Sequence, residues 1–262
     1  MKQNSIREGK LHIWNGMILF LGTVIDTALH RHHALQITVS LSGEFILETE
    51  AGSFSSPAVI IDSDRSHRLK GESGVQALLL LENECEIAER LKPLCLAGKG
   101  VYSPDEGAVR PALFRLRRIL EDDTDIGAAS DAVNFLLGAL ELRGIEGRPR
   151  DPRIEKALEM IHGLEEKKIS ANEIASALSM SETRLIHLFK RETGIPVRRY
   201  LLWKRMMDCL GTLVETGDIT RAAHESGFAD SAHLARTFKE NFGITLSEIF
   251  KNDRFIQVIV GE

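Results

Sequence analysis

Three pairs of adjacent cations, Lys190-Arg191, Arg198-Arg199 and Lys204-Arg205, stand close together in the second half of the chain. Such pairs suit phosphate oxygens, which Lys meets as a point charge and Arg as a planar fork of donors. The whole chain has 262 residues and a formal net charge of −5, which taken alone argues against a nucleic-acid partner. The distribution weakens that objection: residues 1–150 carry 17 Lys and Arg against 21 Asp and Glu, whereas residues 151–251 carry 15 of each. A basic face on a neutral domain permits DNA binding without demonstrating it. A second loaded stretch, HRHHALQ from His30 to Gln36, concentrates imidazoles near the other end. The three cysteines, Cys85, Cys95 and Cys209, form no Cys-x-x-Cys pair, so reduced thiols are expected rather than a disulfide framework or a zinc site. No Gly-rich phosphate loop, nucleophile elbow or paired-carboxylate motif is present, and no catalytic residue is assigned.

The elements that must position these groups fall into two styles. From Leu11 to about Leu81 short apolar runs (HIW, MILFLGTVI, LQITVSL, EFILET, AVIID, VQALLLL) alternate with the turn clusters LSGE, EAGSFSSP and KGESG. That spacing predicts an all-β sandwich or barrel. The run Met17–Val24 is too short to span a bilayer and is read as a buried strand, with no membrane association expected. Beyond Asn83 the period becomes helical, with amphipathic segments at Ala108–Leu120 and Ile126–Leu142. The polar stretch GIEGRPRD, Gly144–Asp151, reads as a linker, and Asp151-Pro152 as a capped helix start. The expected fold class is therefore α+β, with a cupin-like barrel at residues 1–100, a helical dimerisation or linker segment at 101–148, an all-α domain at 149–251 and a tail at 252–262.

The helical domain contains one small unit twice. With Leu185 set against Leu234, Phe189 matches Phe238, Lys190 matches Lys239 and Gly194 matches Gly243. One residue is gained in the second copy, before which Met180 matches Phe228, Ser179 matches Gly227 and Ile174-Ala175 matches Ala222-Ala223. A small alanine for close helix approach, a left-handed corner and an apolar plug describe a helix-turn-helix. A plain helical-hairpin repeat would use the same core, but two copies are fewer than a solenoid needs. Between them Pro196 to about Thr216 can form one helix about 30 Å long, close to the ~34 Å between successive major-groove faces of B-DNA.

Residues 151–251 resemble the DNA-binding domain of the AraC/XylS family of bacterial transcription regulators. The resemblance rests on ITRAAHESGFADSAHLARTFKENFGITLSEIF, Ile219 to Phe250, with Tyr200-Leu201 and Arg205 in the spacer. Ser179 at the first turn, Thr245 and Ile249-Phe250 depart from the family pattern. The resemblance and the helical period together place Glu182, Thr183, Ile186 and His187 on the groove face of the first recognition helix. In the second they place Ser231, Ala232, Ala235 and Arg236 there. Arg236 suits a bidentate contact to guanine, with an ion pair to Glu240 as its bland alternative. Lys190, Arg205 and Lys239 are phosphate candidates. The implied activity is that of a cytoplasmic, non-enzymatic regulator of transcription, most often an activator. It would engage double-stranded DNA through two successive major grooves, meet RNA polymerase, form a homodimer and respond to a small-molecule effector.

HRHHALQ in turn resembles the first motif of the cupin fold, with His67 in the place of the second motif's histidine. In metallo-cupins His30, His32, a carboxylate and His67 would hold a divalent metal. Here Gln36 occupies the carboxylate position and supplies no charge, so the four residues are expected to line an effector pocket without metal or cofactor. A cupin-type metalloenzyme with a DNA-binding tail is the alternative.

Overall fold

In the computed structural model the described residues are 9–14, 17–23, 26–70, 74–96, 100–122, 125–140, 150–163, 169–250 and 256–260. Most of the linker read at Gly144–Asp151 and of the turn KGESG lies outside them. The chain divides into two compact units, Met1–Gly147 with Lys239–Glu262, and Arg148–Phe238.

The first unit is built from β1 (Gly9–Trp14), β2 (Met17–Thr23), β3 (Leu35–Ser40), β4 (Phe45–Thr49), β5 (Gly52–Ser56), β6 (Ala58–Ile61), β7 (His67–Lys70) and β8 (Val75–Leu81). Helix α1 (Glu86–Leu96), strand β9 (Val101–Tyr102) and helices α2 (Glu106–Glu121) and α3 (Ile126–Ala139) follow. The second unit and its continuation comprise α4 (Pro152–His162), α5 (Ala171–Ala177), α6 (Glu182–Thr193), α7 (Val197–Thr216), α8 (Ile219–Glu225), α9 (Ser231–Phe242), α10 (Leu246–Phe250) and β10 (Ile256–Val260).

The β-rich domain expected from the alternating runs is present, but its strands lie in two sheets and do not close into one barrel. The larger has the order β10-β1-β2-β8-β3-β6-β9 and the smaller β5-β4-β7. Strand pairing fixes which side chains share a face. On β3 and its partners, Ile37, Leu79, Leu19 and Ile60 join the buried face of α2 and α3 (Val109, Ala112, Leu116, Val133, Leu136) in one core. The opposite face sends Val59 and Ile61 into a second core with Phe45, Leu47 and Leu69 of the smaller sheet. Helices α2 and α3 thus bury their apolar stripes against the sheet of their own unit. Each starts at an aspartate cap, Asp105 accepting from the Gly107 amide and Asp125 from the Ala128 amide. Residues 256–260, read from the sequence as part of a tail, form β10, which pairs in parallel with β1 from Gly9↔Ile256 to Ile13↔Val260.

In the second unit α4 begins as its Asp-Pro start requires, Asp151 accepting from the Arg153 amide and Pro152 occupying the first turn. Its buried residues Ile154, Ala157, Leu158 and Ile161 pack with Ile174, Leu185, Phe189 and Tyr200. Tyr200 is fully buried, and its hydroxyl is satisfied 3.0 Å from His162 Nε2. Removing that hydroxyl removes this buried hydrogen bond. Tyr200→Phe should therefore cost about 1 kcal/mol of stability, read as a lower urea midpoint with unchanged slope.

His12, on β1, is fully buried in the first unit, and neither of its ring nitrogens has a hydrogen-bond partner among the described residues. Burial, reinforced by Lys10, pushes its pKa down from the usual 6.5 to about 4. The folded protein holds this ring neutral while the unfolded chain takes up a proton below about pH 6.5, so its contribution is fully present above that pH. Stability should fall as pH is lowered from about 6.5 towards 4, and His12→Leu should flatten that part of a thermal-melt series against pH.

Candidate nucleic-acid interface and histidine cluster

The two helix pairs of the second unit turn by the same backbone device. After α5, Met180 N donates to Ala175 O at 2.8 Å and Ser179 N to Ser176 O at 3.0 Å. After α8, Phe228 N donates to Ala223 O at 2.9 Å and Gly227 N to His224 O at 3.1 Å. Both are the paired hydrogen bonds that close a helix on a left-handed residue. That residue is Ser179, φ 53°, in the first pair and Gly227, φ 76°, in the second. Ala175 and Ala223 are buried where the helices approach, and Phe228 fills its corner with 5% exposure. The residue gained in the second copy lies between turn and helix: Ser181 caps α6 directly, its hydroxyl accepting from the Arg184 amide, whereas Ala229 precedes Asp230, whose carboxylate accepts from the His233 amide. The capping role of Asp230 was missed in the sequence, although an aspartate before a helical run is its ordinary signal.

Each second helix buries one stripe and presents the other. Leu185, Leu188 and Phe189 are inside on α6, and Leu234, Thr237 and Phe238 on α9. Of the residues assigned to base reading, Thr183 and His187 are exposed on α6 and Ala232, Ala235 and Arg236 on α9, with Ser231 half-buried at the start of α9. Ile186 is half-buried and packs on the core of its own helix pair. Glu182 is held by Arg198, Nη2 to Oε1 3.1 Å, which accounts for a carboxylate on this face without any nucleic acid. Among the described residues no ion pair joins Arg236 to Glu240, so the guanidinium is not consumed by the neighbour that helical spacing offers it. Lys190 and Lys239 are exposed; Arg205 is half-buried and has an interaction of its own within the protein. Helix α7, 20 residues long, joins the pairs and buries Tyr200, Leu201, Trp203, Met206, Cys209, Leu210 and Leu213.

In the first unit, sheet geometry gathers the histidines. His30 and His67 form an antiparallel bridge, each amide donating to the other's carbonyl at 3.0 and 2.9 Å. Their side chains therefore leave on one face, which His32 shares two residues on. The three rings are buried, and each Nδ1 lies 2.9 Å from a backbone carbonyl: His30 to Ala28, His32 to Ala34, His67 to Arg65. Gln36 Oε1 stands 2.9 Å from His32 Nε2 and 3.2 Å from His67 Nε2, while its amide nitrogen donates to Thr38 Oγ1 at 2.9 Å. Burial lowers all three pKa values, that of His32 to about 4 with the charge of His30 adding to the effect, and that of His67 well below its usual value. The four residues named from the sequence are thus one neutral, buried cluster.

Residues 174–252 match the model of a helix-turn-helix domain. The lactose operon transcription activator of Staphylococcus xylosus is 26% identical over 96 residues, 36% of this chain and 34% of that protein. The transcriptional activator RhaS of Escherichia fergusonii is 27% identical over 146 residues, 54% of this chain and 52% of that protein. The chain thus spans between a third and about half of these curated relatives. Among solved structures an apo ToxT variant from Vibrio cholerae superposes with a TM-score of 0.59 at 14% identity, covering 90% of this chain and 97% of that one. A fatty-acid-bound ToxT gives 0.55 at 14% identity over 89% and 94%. These show a shared fold.

The first turn offers a measurement independent of DNA. A non-glycine residue in the left-handed region costs about 1–2 kcal/mol, so Ser179→Gly should stabilise the protein by about 0.5–1 kcal/mol after the entropy of glycine is counted. Gly227→Ser should destabilise it by a similar amount, both read from denaturant midpoints. With its paired turns and its match over residues 174–252, the chain carries a C-terminal helix-turn-helix domain.

Proposed function

We propose that the protein is a transcription regulator that binds double-stranded DNA with α6 and α9 in two successive major grooves. The observation that carries the reading is the pairing of two identically closed helix-turn-helix units across one helix, each presenting a short polar or small-residue stripe outward. A helix of 20 residues is about 30 Å long, commensurate with the ~34 Å groove repeat. Arg236, Thr183 and His187 supply the hydrogen-bonding base contacts, Ala232 and Ala235 meet thymine methyls, and Lys190 and Lys239 neutralise phosphates. Ile186 serves its own helix pair first and Glu182 its ion pair with Arg198 of α7, each meeting the DNA second.

The β-rich unit is the sensor, with its histidine cluster lining the effector site. ToxT, whose fold this chain shares, has been crystallised with an unsaturated fatty acid bound, which supports an effector-responsive reading. The protein acts in the cytoplasm as a homodimer, contacts RNA polymerase to activate transcription, and is not an enzyme. No helix among the described residues is long and apolar enough to cross a membrane.

Fluorescence anisotropy with DNA flanking the protein's own gene tests the reading. Binding should be sequence-preferring and should weaken steeply with salt. Arg236→Ala should lose about 1–3 kcal/mol, roughly 5- to 150-fold in Kd, on the preferred site. Lys239→Ala should weaken all sequences alike and lower the salt slope by about 1. Binding without sequence preference, unaffected by Arg236→Ala, would overturn the assignment of α9 as a base reader.

A further inference from the structure

The start of the first recognition helix differs from that of the second in a way the shared scaffold does not require. Glu182 is the first residue of α6, one position after its cap Ser181, and Arg198 of α7 reaches back to it, Nη2 to Oε1 3.1 Å. With the copies matched, Ser231 and Ser247 stand in these two places of the second copy, which closes its turn by the same hydrogen bonds with no charge at either position. The pair adds little to stability. The Arg198 side chain is 78% exposed, and exposed ion pairs are screened and cost side-chain entropy. Nor does Glu182 need a guanidinium to carry its charge, since the first turn of a helix already favours a carboxylate.

What the pair controls is charge and aim at the end of the helix that meets bases. The N-terminal residues of a recognition helix contact base edges in the major groove. A bare carboxylate entering there is repelled by the flanking phosphates, whereas Arg198 makes the pair neutral and fixes Oε1, leaving the second oxygen to accept. A carboxylate only accepts, which selects among the bases. Cytosine offers its N4 amino group with no acceptor of its own beside it in the groove, adenine sets N7 next to its donor, and guanine and thymine present acceptors.

We propose that Glu182 reads a cytosine in the half-site of α6 and that Arg198 is its positioning residue. The half-site of α9, whose matching positions are both serine, lacks this requirement. The inference rests on the DNA-binding reading and adds to it one base and the residue that aims its reader.

The full chain selects its preferred site from random duplex DNA, and anisotropy then measures every single base-pair change in that site for the wild type and three variants. The wild type should prefer cytosine at one position of one half-site by about fivefold or more over each other base. Glu182→Ala should level the four bases at that position to within about twofold and leave the other positions as they are. Glu182→Gln, which sets a donor beside its acceptor, should move the preference to adenine. Arg198→Ala should lose most of the preference for cytosine at the same position. Urea midpoints of the three variants should stay near that of the wild type, so that a lost preference is not lost folding. Equal weakening on all four bases by Arg198→Ala makes Arg198 a phosphate contact and overturns its positioning role. Unchanged base preferences in Glu182→Ala overturn the cytosine assignment while the regulator reading stands. A wild type without any sequence preference defeats both.

Discussion

Each helix pair of the second unit turns on one residue held at positive φ. Without it α5 and α6, or α8 and α9, could not cross closely enough for Ala175 and Ala223 to be buried between them. The corner hydrogen bonds, the capped starts of the second helices and the outward stripes follow from that turn. The two copies meet the constraint differently. Gly227 meets it without steric cost, whereas Ser179 accepts strain that the surrounding hydrogen bonds must offset.

Local chemistry made the helical half legible. Repeated small and apolar residues at matching spacing identified the two units, and Asp151-Pro152 set the start of α4 as helix-capping physics requires. Even a departure from the family pattern has a local explanation. Thr245 forms a reciprocal cap with Glu248, its hydroxyl accepting from the Glu248 amide at 3.3 Å while the carboxylate takes the Thr245 amide at 2.6 Å. Ile186 was harder, because helical period alone cannot separate a residue that meets a groove from one that leans on its own core. Glu182 was harder still, since its partner Arg198 is 16 positions away, at the start of another helix.

The β-rich half was legible in class and not in topology. Alternation revealed strands but could not say that they divide between a large and a small sheet, since that depends on pairings distant in sequence. His30, His32, Gln36 and His67 were recognisable as a group. Their convergence depends on a bridge between residues 37 positions apart, and the carbonyls that set their tautomers are backbone atoms with no sequence signature. The short apolar stretch of β10 gave no sign of its partner, because a parallel strand receives that partner from elsewhere in the chain.

That strand alters the order in which the molecule can be completed. Because β10 belongs to the sheet of β1, residues 148–238 are an insertion within a discontinuous domain rather than an appendage to a finished one. During synthesis the helix-turn-helix unit emerges whole and can fold on local contacts. The sheet keeps β1 as an open edge until residues 256–260 have left the ribosome. A fragment ending near residue 147 would retain that unpaired edge permanently, with the backbone donors and acceptors that invite a foreign strand.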